Sequence, residues 1–310
     1  MAGLEPGSGE AIKYIQFVDQ KTGYLAGGSG IMFKTTDGGN SWKQLRTKTQ
    51  ARINGISFID ANTGLVAFGP AAGEYGAPSN PPVLRKTTDG GNTFTDVSSG
   101  ALVSRITMVD ANNGYAFTAG DNWNILSKTS DGGASWRNMK EAAGVNSDLN
   151  DLAVIDANTC VVVSKSGEVF KTTDGGNSWT TVKVTIPTPT ADVETELYAV
   201  KFINAKNGWV AGKDNAVFKT TDGGATWADI SPKEKFGLTT FFAIDAKSAN
   251  EVMVTGNTAG VIMHTTNGGA KWVAEKTQPG SGSFYAIVSL GAKAFVVGNG
   301  GNGVFQKKGK

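Results

Sequence analysis

"KTTDGGNSW" occupies Lys34–Trp42 and returns letter for letter at Lys171–Trp179. Four variants join it: "KTTDGGNTF" at 86–94, "KTSDGGASW" at 128–136, "KTTDGGATW" at 219–227 and "HTTNGGAKW" at 264–272. The copies recur at intervals of about 40–50 residues, a period that points to propellers or solenoids. We call the phrase the box. Its acidic position is Asp37, Asp89, Asp131, Asp174 and Asp222, with Asn267 in the sixth copy.

A second phrase precedes each box. It reads "IKYIQFVD" from Ile12, "INGISFID" from Ile53, "VSRITMVD" from Val103, "LNDLAVID" from Leu149, "LYAVKFIN" from Leu197 and "LTTFFAID" from Leu238. A seventh version, "FYAIVSLG", starts at Phe284 and has no box after it. Within a repeat, short apolar, β-branched runs alternate with Gly, Asn and Asp turns, which reads as four β segments. No segment sustains a 3.6-residue period. The spacing predicts an all-β chain, a single domain over 1–310. Its form is a seven-bladed β-propeller of four-stranded blades, with repeats starting near 12, 53, 103, 149, 197, 238 and 284. The seventh repeat supplies strands at about Phe284–Leu290, Ala294–Gly298 and Gly303–Lys307. The segment before Ile12 supplies its missing outer strand, which removes open sheet edges.

The box suits a tight reversal between the third and fourth strands. Gly38 and Gly39 can take positive φ at low cost. Asp37 can accept hydrogen bonds from the turn's own N–H groups, and Trp42 offers an apolar plate to the outer strand. Asn267 can accept the same bonds without a charge. Six copies spread along the chain cannot form one active site, so these residues read as scaffold.

The box matches the Asp box, also called the bacterial neuraminidase repeat, found in sialidases, other glycoside hydrolases and sortilin-type receptors. The larger unit "FVDQKTGYLAGGSGIMFKTTDGGNSW" most resembles the photosystem II stability/assembly factor family, and the resemblance runs from Ile12 to Lys307. It implies a seven-bladed propeller and a role in binding protein partners. Photosynthetic members carry an arginine patch. This chain has five arginines, of which Arg52 and Arg105 stand at the starts of first strands.

Catalytic chemistry finds little support. Sialidases need three arginines, a tyrosine nucleophile with a glutamate, and an aspartate acid/base, and they carry an Arg-Ile-Pro-type motif near the start; no such motif exists here, and "ARINGI" is not one. Glu74, Asp121, Glu141 and Asp148 are carboxylates outside the boxes, but nothing marks two of them as the opposed pair of a glycosidase. The one histidine, His264, replaces a box lysine and reads as a drifted surface position. One imidazole makes neither a metal site nor a triad. Every "GG" belongs to a hairpin and not to a phosphate loop. No cofactor or metal is expected. Cys160, the one cysteine, sits in "CVVVS" and reads as a small buried hydrophobe.

The net charge of +2 argues against a nucleic-acid partner. No stretch has the length of a membrane span. The opening "MAGLEPGSGEAIKY" lacks the basic and apolar regions of a signal peptide. Location stays open between cytoplasm, virion and export with a leader removed.

The turns after first and third strands are uniform, whereas the other connections vary: 69–83, 119–125, 138–148, 185–196 and 231–237. Variation of that kind suggests a binding face. Tyr75, Glu74, Asn122, Trp123 and Glu141 on these loops, with Arg52 and Arg105, are the partner-binding candidates. The box lysines Lys34, Lys86, Lys128, Lys171 and Lys219 read as a solvated edge. The function expected is a protein-binding assembly scaffold, part of a larger complex or a virion. The alternative is a carbohydrate-binding or degenerate hydrolase propeller.

Overall fold

The computed structural model describes residues 12–69, 82–99, 102–119, 124–139, 148–187, 192–233, 239–257, 261–276 and 282–298. The first repeat folds as β1 (Ile12–Phe17), β2 (Gly23–Gly27), β3 (Met32–Thr35) and β4 (Lys43–Gln44), with one 3-10 turn at Gly28–Gly30. The second has β5 (Arg52–Phe58), β6 (Gly64–Gly69), β7 (Val83–Thr87) and β8 (Thr95–Ser99). The third has β9 (Val103–Met108), β10 (Gly114–Ala119), β11 (Asn124–Thr129) and β12 (Arg137–Asn138). The fourth has β13 (Leu149–Val154), β14 (Cys160–Ser164), β15 (Glu168–Thr172) and β16 (Thr180–Lys183). A small hairpin, β17 (Thr185–Ile186) and β18 (Val193–Glu194), follows in what the sequence offered as an irregular connection. The fifth repeat has β19 (Leu197–Phe202), β20 (Gly208–Gly212), β21 (Val217–Thr220) and β22 (Ala228–Asp229). The sixth has β23 (Phe241–Ala246), β24 (Val252–Gly256), β25 (Val261–Thr265) and β26 (Val273–Lys276). The last two strands are β27 (Phe284–Leu290) and β28 (Lys293–Gly298).

Each of the first six repeats is a four-stranded antiparallel meander in chain order. The count of blades therefore needs correction: six four-stranded blades are present among the described residues, not seven, and β27 and β28 form a two-stranded sheet. The physical reason is the missing box. Without its reversal after a third strand, nothing in the seventh repeat directs the chain into a fourth. Gly303–Lys307 and the segment before Ile12 lie outside the described residues.

The chain divides into two compact units, Met1–Asn138 with Leu290–Lys310, and Met139–Ser289. In the first unit the core gathers Tyr24, Met32, Ile53, Phe58 and Phe68, with a second cluster around Leu65, Leu84, Val103 and Ile106. In the second, Val161, Val163, Leu197 and Phe218 pack together, as do Trp209, Phe241, Val254, Met263 and Trp272. Second strands such as "GYLAG" and "CVVVS" are buried along their whole length, which explains their unbroken apolar runs. Cys160, the single cysteine of the sequence, is fully buried.

First strands of successive repeats pack on one another: β5 on β9 in the first unit, β13 on β19 and β19 on β23 in the second. Polar side chains stitch these contacts. Gln16 Oε1 accepts from the Phe58 N–H at 2.9 Å, and its Nε2 donates to the Phe58 carbonyl at 2.8 Å. Ser57 Oγ accepts from Met108 N, Asp151 Oδ2 from Val200 N, and Asp245 Oδ2 from Ser289 N.

Candidate functional site

The boxes were one place where chemistry could reside, and their geometry is local. Thr35 Oγ1 accepts from the Gly39 N–H at 2.9 Å and donates to Asp37 Oδ1 at 2.8 Å. Asp37 Oδ1 also accepts from the N–H groups of Asn40 and Ser41, and Oδ2 takes the Ser41 hydroxyl at 2.5 Å. Asp89, Asp131, Asp174 and Asp222 repeat this set on Thr93, Ser135, Ser178 and Thr226. In the sixth box Asn267 Oδ1 accepts from Thr265 Oγ1 and the Lys271 N–H, each at 2.9 Å. The hydroxyl at Ser41, then the backbone N–H there, hold the Asp37 carboxyl at about 2. The same causes hold Asp89 and Asp131 at about 2 and push Asp174 and Asp222 well below the usual carboxylate range.

The glycines serve two ends. The first of each pair donates its N–H to the turn after the first strand of its own blade, as Gly38 does to the Lys21 carbonyl. The second, Gly39, has φ +78°, and a Cβ there would meet the Phe295 ring at 2.6 Å. Gly91 lies as close to Leu45, Gly133 to Leu84 and Gly269 to Ile230. Leu45, Leu84 and Ile230 belong to the preceding repeat and Phe295 to the last one, so these four boxes also seat a side chain of another repeat, whereas a Cβ at Gly224 would meet nothing nearer than 3.5 Å.

The box lysines need correction. Lys34 is half-buried: Nζ donates to the Ala61 carbonyl at 2.9 Å and stands 5.4 Å above the Tyr24 ring. Burial lowers its pKa. Lys171 donates to the Gly223 carbonyl and Lys219 to that of Ala249, again across to the following blade. These are ties between blades rather than a solvated edge. Their stems are apolar enough to cover the neighbour while the ammonium finds a carbonyl. His264 is likewise no surface position. It is 6% exposed in β25, with Nδ1 3.5 Å from Glu275 and Nε2 3.5 Å from Glu251. Two carboxylates thus flank opposite edges of the ring. Among the described residues no group of three or more His, Cys, Asp or Glu could hold a metal ion.

A second candidate lies on the first strands. In β1, β5, β9, β13, β19 and β23 the pairing with the second strand slips near the start. Such a β-bulge leaves an extra residue that is re-aimed from the ladder. At or beside it stand Lys13, Asn54, Arg105, Asn150, Tyr198 and Phe242. In the first unit this brings together two of the sequence candidates. Arg52 Nε donates to Asn54 Oδ1 at 2.9 Å, and Asn54 Nδ2 is buried without a hydrogen-bond partner. Arg105 has φ +46°, a conformation a bulge tolerates but arginine rarely adopts. Tyr14, which the sequence reading missed, completes the cluster. Burial raises its phenol pKa, while the positive charges of Arg105 and then Arg52 oppose that rise. Tyr75, Glu74, Asn122, Trp123 and Glu141 lie outside the described residues, as do Asp121 and most of the variable connections. Asp148 is described and takes the Lys165 N–H on its backbone carbonyl.

The sequence model of the family described as photosynthesis system II assembly factor YCF48 matches residues 79–190 and 183–306. The chain belongs to the YCF48 family. No curated protein matches it. Among solved structures, YCF48 bound to D1 peptide aligns with a TM-score of 0.70 at 20% identity, over 94% of this chain and 90% of that one. YCF48 from Cyanidioschyzon merolae aligns with a TM-score of 0.69 at 17% identity, over 94% of each chain. The family 74 glycoside hydrolase xyloglucanase from Xanthomonas campestris aligns with a TM-score of 0.72 at 13% identity, over 94% of this chain and 51% of the enzyme. At these identities the likeness is one of fold, the all-β propeller. Among the described residues no helix is long and apolar enough to cross a membrane.

Proposed function

We propose that this YCF48-family chain is a non-enzymatic scaffold, one domain that holds a peptide segment of a partner protein during assembly of a larger complex. The observation that supports this most is the gathering of Arg52 and Arg105 beside Tyr14 on neighbouring first strands. A guanidinium presents a planar fork of donors that matches a carboxylate. Two of them beside a phenol suit an acidic side chain or a free peptide C-terminus. The solved family member bound to a D1 peptide makes a peptide the ligand class to test first. The box aspartates spend both carboxylate oxygens on their own turns, so we read them as scaffold and not as general acids.

Binding of a fluorescent peptide with acidic residues and a free C-terminus should be compared with its amidated, uncharged counterpart. The expected outcome is that only the acidic peptide binds, more weakly as salt is raised, and at least about tenfold more weakly to Arg52→Ala or Arg105→Ala. Equal binding of the uncharged peptide, or normal binding by both variants, refutes the reading. The loop positions Tyr75 and Trp123 join the same assay as alanine variants, since aromatic loop anchors often carry binding energy. Glycosidase substrates should give background rates only.

A further inference from the structure

In Met139–Ser289 the bulge positions of β19 and β23 and the matching sequence position of β27 share a residue type. There β19, β23 and β27 carry Tyr198, Phe242 and Tyr285, each directly after a buried residue: Leu197, Phe241 and Phe284 are 0%, 2% and 3% exposed. The core side of each strand is thus filled by the preceding side chain, and the aromatic that follows is left partly exposed. The rings meet in a row. Tyr198 and Phe242 lie 5.5 Å apart at 83°, edge to face, and Phe242 and Tyr285 lie 6.1 Å apart at 26°. The fold does not require aromatics at this register, because the first four repeats place Lys13, Asn54, Arg105 and Asn150 there. Three consecutive aromatics therefore need another reason.

We propose that Tyr198, Phe242 and Tyr285 form an apolar docking subsite for a hydrophobic side chain of a partner peptide. The neighbouring polar groups choose this occupant. Tyr198 donates its hydroxyl to Glu196 Oε2 at 2.5 Å, and Lys213 donates to Glu196 Oε1 at 3.2 Å. Both oxygens of that carboxylate are engaged and its charge is matched by an internal lysine. A cationic side chain would find no unmatched charge. A sugar stacked on these rings would have to share the Glu196 carboxylate with Tyr198 and Lys213, which already engage both of its oxygens. What remains is the apolar surface, worth most to a leucine or an aromatic. The subsite goes beyond the arginine cluster and shares with that reading only the ligand class.

The test uses the full chain labelled with 3-fluorotyrosine, with the Tyr198 and Tyr285 resonances assigned from Tyr198→Phe and Tyr285→Phe. Blocked pentapeptides of glycine and serine around a central leucine, phenylalanine, lysine or aspartate are titrated to millimolar concentration, beside a xyloglucan oligosaccharide. The expected result is that both resonances move with the leucine and phenylalanine peptides and stay in place with the others. The shift should fall at least fivefold in Phe242→Asn, which installs the residue that the fourth repeat holds at Asn150. Tyr198→Asn, read on Tyr285, serves if Phe242→Asn fails to fold. Arg52→Ala with Arg105→Ala should leave these shifts unchanged, so that the two readings fail separately. Movement with the lysine peptide or the sugar equal to that with leucine overturns the proposal, as does no movement with either apolar peptide.

Discussion

Phe17 and Phe295 lie with ring centroids 5.1 Å apart, although one belongs to the first described strand and the other to the last. Lys293 reinforces the contact by donating to Asn40 Oδ1 at 2.8 Å. Phe295 also lies over Gly39, where it leaves no room for a Cβ. Truncating Phe295, which is fully buried, to alanine should cost about 3–5 kcal/mol. Gly39→Ala should destabilise too, by forcing both the ring and a positive φ. Urea unfolding of the single and double variants checks this. A Phe17→Ala, Phe295→Ala pair that is simply additive would show that the rings are not coupled.

The box carboxylates set an acid limit. Their folded pKa values are depressed to about 2 at Asp37, Asp89 and Asp131 from an ordinary 3.8. A depressed carboxylate contributes stability that is whole above the unfolded value and is lost as pH falls through the folded one. Thermal unfolding temperature should therefore drop between about pH 4 and pH 2. Asp37→Asn should lose part of that stability at pH 7, because an amide keeps the bonds at Oδ1, as Asn267 does, but cannot accept the Ser41 hydroxyl at Oδ2. A chain with asparagine in all six boxes should lose less stability over that pH range than the original. Parallel pH profiles for the two chains would contradict this account.

Lys34→Met keeps the apolar stem over Tyr24 and removes the donor to Ala61. Because Tyr24 Oη also donates to that carbonyl, at 2.8 Å, the acceptor is not orphaned. The expected loss is about 1 kcal/mol, measured by urea unfolding, with no change in peptide binding. A loss near zero would return the box lysines to a solvated edge.

Much of the fold was legible because its rules repeat. Six boxes announced six reversals, and the alternation of apolar runs with Asx turns placed the strands. Asp19 Oδ1, for one, accepts from the N–H groups of Lys21 and Thr22, as an Asp in "DQKTG" should. The seventh repeat was counted as a blade because its strand-like letters resemble the others and its outer strand was expected from the segment before Ile12, whereas β27 and β28 pair as a two-stranded sheet. Lys34 and His264 were misread for a related reason. Alignment showed a polar residue at a recurrent edge, but whether the edge faces water depends on how near the next blade sits. Arg52 and Arg105 were singled out as candidates from their places at strand starts. Tyr14 was missed, although the same alignment sets it one position past Lys13 in the first repeat. Tyr198, Phe242 and Tyr285 were equally visible in "LY", "FF" and "FY", but the bulge that re-aims Tyr198 and Phe242 has no letter of its own.

The seat that the boxes provide at Gly39, Gly91, Gly133 and Gly269 has a direction. A repeat offers a glycine hollow to the one before it and a bulky side chain to the one after, so the join is head-to-tail, a heterologous interface between unequal surfaces. Joins of that type accept another copy without redesign, which is how a chain can lengthen by duplication. They also leave a vacant hollow at the first copy and an unhoused side chain at the last. Here Phe295 occupies the hollow at Gly39, so the leftover halves cancel. Any variant that gains or loses a repeat must still bring a side chain of that size to Gly39, and this, rather than the box itself, limits how the number of repeats can change.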